Sequence, residues 1–90
     1  MGKLPISIGM LAWHSGQTLV NTLHSYYLNG LLEMVDDVTI FFQETTHEDI
    51  DIANHFSVNY IESNTNVGIG KAFIELAKNA KTDRILFLEA

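Results

Sequence analysis

Four short apolar runs separated by stretches of helical periodicity restrict this chain to an alternating α/β arrangement. The plainest run is the last, where Ile85, Leu86, Phe87 and Leu88 lie between Arg84 and Glu89. An apolar run without polar alternation is what a parallel strand covered on both faces looks like. By the same reading Ile6 to Ala12, preceded by Pro5, forms a first strand. Val38 to Phe42, bounded by Asp36-Asp37 and Gln43-Glu44, forms a second, and Val58 to Ile61 a shorter third. Arg84 to Leu88 closes the set. The residues between these runs repeat at three and four positions. Leu19, Val20, Leu23, Tyr26, Tyr27 and Leu31 describe one buried helix face. Ser15 is placed to cap that helix, and Asn29-Gly30 to end it. Thr46 is expected to cap a short helix over His47 to Phe56, with Glu48 and Asp49 favourable in its first turn. A turn-rich loop from Asn64 to Gly70 leads into a helix over Lys71 to Ala80, with Phe73, Ile74, Leu76 and Ala77 inward. Strand, helix, strand, helix, strand, helix, strand in that order implies right-handed crossovers and a mostly parallel, doubly wound sheet. The pattern reads as the opening half of such a fold, truncated after its fourth strand.

Ninety residues make at most one small domain, and an apolar content of 47% is enough for a packed core. The net charge of −6, with lysines and arginines scattered singly, argues against a nucleic-acid surface. Cysteine is absent, so there is neither a disulfide nor a thiolate metal site. The segment around Lys3 and Pro5 carries only a short apolar run, and neither a signal peptide nor a membrane span follows from it. A soluble cytoplasmic protein is the default expectation.

Several residues invite a chemical reading. Gly68-Ile69-Gly70-Lys71 suggests a phosphate loop, yet Thr65 stands where that loop needs glycine and Ala72 where it needs Ser or Thr. The dinucleotide fingerprint fails as well, because Phe73 occupies its third glycine position. The glycines read better as a tight loop opening a helix whose free amides could face a diphosphate. His24, His47 and His55 read as structural or surface residues. His14 differs, since it follows Trp13 at the end of the first strand, where ligands gather in open parallel sheets. Trp13 is the only tryptophan. It is either a core anchor or a flat surface for a nucleobase. Gln43 and Glu44 end the second strand on the same edge and Glu89 ends the fourth. An aromatic ring, an amide and two carboxylates are thus expected at one crevice, as a nucleotide and metal pocket.

This order of parts resembles the N-terminal, donor-binding half of GT-A-fold glycosyltransferases of the inverting family 2 type. Those enzymes carry Leu-x-x-Thr-Leu-x-Ser in their first helix, matched by Leu19-Val20-Asn21-Thr22-Leu23-His24-Ser25. Their Asn-x-Gly-x-Ala-x-Ala segment is similar to Asn66-Val67-Gly68-Ile69-Gly70-Lys71-Ala72, and their Ile-x-Phe-Leu-Asp-x-Asp to Ile85-Leu86-Phe87-Leu88-Glu89-Ala90. The departures are specific. Ala12-Trp13-His14 stands for Thr-Tyr-Asn, Gln43-Glu44-Thr45-Thr46 for Asp-Asp-Gly-Ser, and Phe73-Ile74 for a common Arg-Asn. The resemblance implies transfer of a sugar from a nucleotide diphosphate donor, expected to be UDP-linked, to a hydroxyl of a glycan or another acceptor. Ala12, Trp13, His14, Gln43, Glu44, Asn66, Gly68 and Gly70 would line the nucleotide site. Within it Trp13 would stack on the base, and Gln43 and Glu44 would hold base or ribose. Glu89 would help position the ribose and a divalent ion, Mn²⁺ or Mg²⁺. In that family the general base and acceptor site lie in the C-terminal half, so residues 1–90 are expected to be the donor-binding part. Self-association through the uncovered last strand is expected of a chain cut there.

Overall fold

The computed structural model describes residues 3–89. Along the chain lie β1 (Leu4–Trp13), α1 (Gly16–Leu28), α2 (Leu31–Met34), β2 (Val35–Gln43), α3 (His47–His55), β3 (Asn59–Glu62), α4 (Ile69–Asn79) and β4 (Ile85–Glu89). The four strands form one sheet in the order β3-β2-β1-β4, and every neighbouring pair is parallel. This is an α/β, Rossmann-like arrangement, with the first four strands of the 3-2-1-4 order that doubly wound sheets use. Trp13 lies opposite Gln43 in the β1–β2 register, and Glu89 lies beside Leu11. Strand β4 is therefore described to a point two residues, roughly 7 Å, behind Trp13.

The pleat divides the core in two. On one face Ile8, Met10 and Ala12 of β1 and Val38, Ile40 and Phe42 of β2 pack against Leu19 and Leu23 of α1 and Ile52 and Ala53 of α3. On the other face Phe41 packs with Ala72 and Leu76 of α4, joined by Leu11, Ile61, Val67 and Phe73. The two connections that step outward from β1 put their helices on the first face. The one that crosses back to β4 puts α4 on the second, as a single crossover hand requires. Gly9 is what lets this second layer close. A Cβ there would meet Phe87 Cδ1 at 3.2 Å and Leu76 Cδ1 at 3.3 Å, tighter than ordinary contact.

Several local expectations need correction. The strands begin or end one to three residues from the expected points, because pairing with neighbours extends β1 to Trp13 and starts β2 at Val35. Tyr27 is exposed rather than inward, and Leu31 belongs to the separate short helix α2. Gly30, at φ +75°, breaks the chain between the two helices as expected of Asn29-Gly30, and the helix-forming Leu31-Leu32-Glu33-Met34 then restarts one turn. On α4 the inward residues are Ala72, Phe73 and Leu76, while Ile74 and Ala77 face solvent. The helix begins at Ile69, two residues earlier than expected, and its buried stripe follows from that packing. Ser15 occupies the N-cap position of α1 but lies in the right-handed helical region and makes no side-chain cap. Its hydroxyl instead meets the backbone of Trp13, accepting from the amide at 3.3 Å. The cap of α3 is as expected. Thr46 accepts from the Asp49 amide at 3.2 Å and Asp49 returns a bond to the Thr46 amide at 3.0 Å, a closed capping box.

Candidate functional site

The carboxyl ends of β1 and β2 lie side by side, and each leaves its strand through a left-handed residue. His14 has φ +47° and Glu44 φ +51°. Side chains avoid this region, where Cβ crowds the backbone, so two such residues on adjacent strand ends mark a strained rim. The turn at each residue brings three side chains together. The Trp13 indole Nε1–H donates to Glu44 Oε2 at 2.7 Å, and His14 Nε2 lies 3.3 Å from the same oxygen. The imidazole meets the indole edge-on, with ring centroids 4.8 Å apart and planes at 69°. Both contacts favour the ionised form of Glu44. The indole bond first, then His14, holds its carboxyl below the usual carboxylate range.

Trp13 is 55% exposed. That excludes the core-anchor reading, because a core anchor would be buried. It sits on the face of the sheet that α4 covers, by alternation from Leu11, and beyond the reach of that helix's packing.

Gln43 does something else. It is 3% exposed, and both ends of its carboxamide are engaged. The Val67 amide donates to Oε1 at 2.8 Å, and Nε2 donates to the Gly68 carbonyl at 3.3 Å. Gln43 therefore ties the end of β2 to the loop that opens α4, and its carboxamide is occupied within the fold. Asn66 belongs to the same loop, accepting from the Gly68 amide at 3.0 Å. Gly68 has φ +86° and ψ 161°, a conformation essentially reserved for glycine. Helix α4 has no side-chain cap, Lys71 lies in its first turn, and nothing stands within 4 Å of where a Cβ on Gly68 or Gly70 would be. The start of α4 lies at the same end of the sheet as the indole, and a helix N-terminus is where anionic groups can be accepted.

Of the residues expected at the nucleotide site, Trp13, His14 and Glu44 form one cluster, and Asn66, Gly68 and Gly70 line the neighbouring loop and helix start. Gln43 joins the two groups from beneath. The methyl of Ala12 is buried among the α1 and α3 core residues, so only its backbone is available at the rim. The expected metal role of Glu89 concerns a side chain that lies outside the described residues. Among the described residues no three His, Asp or Glu side chains converge to hold a metal ion. The pairing of Glu44 and His14 with Trp13, and the anchoring of Val67 by Gln43, were not legible in the sequence. These contacts join residues 24 to 31 positions apart, and no local spacing announces them.

A concavity of about 720 Å³ lies at the opposite end of the sheet. Its walls mix Glu33, Asp36 and Asp37 with Lys3 and Lys81, so it selects no one charge class of ligand. We place the candidate site at the carboxyl edge, where open parallel sheets bind ligands and where the exposed indole stands.

Comparison with known protein families, with curated proteins and with solved structures finds no match. No helix among the described residues is long and apolar enough to cross a membrane.

Proposed function

We propose that the carboxyl edge of the sheet binds the nucleotide of a UDP-linked sugar donor, as the donor-binding part of a glycosyltransferase of the GT-A type. The observation that carries this reading is the half-exposed Trp13 indole, held by Glu44 at the carboxyl end of a parallel 3-2-1-4 sheet. A base stacks on the open ring face, and the uncapped first turn of α4, with Lys71, receives the diphosphate. The order of motifs along the chain supports the donor as a nucleotide sugar and the reaction as transfer to an acceptor hydroxyl. Gln43 holds the loop that shapes the phosphate side and does not itself read the base.

A second reading, a nucleotide-binding module without transfer chemistry, is favoured by the commitment of the Gln43 carboxamide to Val67 and Gly68. The two differ in turnover: the transferase releases UDP from a UDP-sugar in the presence of an acceptor, and the module binds the same compound unchanged.

Because Trp13 is the only tryptophan, its fluorescence reports on the site directly. Added UDP is expected to quench or shift it. Stacking on an aromatic ring contributes ~1–3 kcal/mol per base, so Trp13→Ala is expected to weaken UDP binding roughly 5- to 150-fold. Unchanged affinity in that variant, measured by calorimetry, would remove the indole from the site and the reading with it.

A further inference from the structure

We infer that Glu44 is a positioning residue, whose task is to hold the Trp13 indole as a fixed platform rather than to contact the base. The inference rests on the nucleotide reading above. An exposed tryptophan with no partner samples several rotamers, and ordering a free side chain on binding opposes affinity. Here that ordering is already built in. Glu44 Oε2 accepts from the indole nitrogen at 2.7 Å, which pins the Nε1 edge of the ring. His14 adds an edge contact to the same ring and a second polar contact, at 3.3 Å, to the same oxygen. The three side chains form a closed triangle, so no one of them turns without breaking two contacts.

The backbone shows that this arrangement is specified. Glu44 is the first residue after β2 and His14 the first after β1, and both hold left-handed conformations in which non-glycine residues are uncommon. An extended conformation at Glu44 would continue the strand and carry the carboxylate away from Trp13. The left-handed turn redirects it across the sheet edge. Trp13 and Gln43 are register partners, which puts Glu44 one residue beyond the point opposite the indole. Glu44 Oε2 receives both contacts, so one carboxylate oxygen serves the indole and the imidazole together.

The test uses the single tryptophan of the 90-residue chain and UDP as probe. In the unliganded protein, Glu44→Ala is expected to speed local indole motion in time-resolved anisotropy and to raise acrylamide quenching. Releasing one immobilised side chain corresponds to roughly two- to tenfold weaker UDP binding. Glu44→Gln, whose amide oxygen still accepts from the indole, is expected to restore most of both properties. A residue that touched the base as an anion would lose affinity in both variants alike and leave indole motion unchanged, and that pattern overturns the inference. So does a loosened indole with unaltered UDP affinity. Failure of the wild-type chain to bind UDP is read on the wild type alone; it removes the nucleotide reading, and the positioning role with it.

Discussion

Glu44 is the residue at which pH should act on the site. Its carboxyl is held low by the Trp13 indole, with His14 adding to the effect, so the clamp favours the ionised form. A group whose folded value is depressed contributes its interaction fully above the ordinary carboxylate range and loses it as pH falls through the depressed value. Indole order, followed by steady-state anisotropy, should therefore persist through the pH range where an unperturbed glutamate titrates, and loosen only below it and only in part, because the protonated acid keeps a carbonyl acceptor as Glu44→Gln does. Glu44→Gln has no such carboxyl and should lack the transition, which separates it from general acid unfolding. A transition at an ordinary glutamate value would mean that the indole bond is not maintained in solution.

At the level of elements, local chemistry and packing divide the work. The capping box of α3 is local, since Thr46 and Asp49 satisfy each other's amides across three residues. Thr46→Ala removes one acceptor and strands the Asp49 amide, at an expected cost of about 1 kcal/mol in urea denaturation. Asp49 is also buried, so a loss well under a few tenths would show that the box is replaced by water. Helix α4 is different. Nothing caps it, and its place depends on Gln43 holding the preceding loop through Val67 and Gly68. Gln43→Leu leaves the Val67 amide without its acceptor, and burying an unpaired amide costs about 1–3 kcal/mol. It should lower stability by that amount and loosen the start of α4, visible as faster hydrogen exchange at Val67 to Lys71. Uniform exchange in variant and parent would separate the glutamine from the loop.

Across the whole molecule the sheet is unevenly finished. Its two central strands are covered on both faces, whereas β4 lies at one edge with Leu86 and Phe87 substantially exposed. Edge strands with apolar side chains and open backbone groups recruit other chains. The 90-residue chain on its own is expected to associate with rising concentration in light scattering, and Leu86→Lys to suppress that association without unfolding, since Leu86 lies outside the buried core. A chain that stays monomeric at all concentrations would show that this edge is already protected.

The order of the strands and of the three longer helices, and the Thr46 cap, followed from the sequence by itself, because hydrophobic period, capping and glycine conformation act over a few residues. So did the identity of the residues at the carboxyl edge, since the ends of apolar runs can be counted along the chain. Which of those residues face outward was not contained in that pattern. Tyr27 and Ile74 have the spacing of buried residues, and only the packing of α1 and α4 against the sheet left them in water. Trp13, equally suited to a core, stands exposed because β1 runs beyond the layer that α4 covers. Gln43 and Glu44 are neighbours of similar chemistry, yet one ties down a loop and the other clamps an indole. The strand's alternation sends Gln43 beneath the Val67–Gly68 loop, and the left-handed turn at Glu44 sends its carboxylate toward Trp13. Side-chain direction at a strand end depends on register and on one backbone torsion, and both are fixed only when the strands pair.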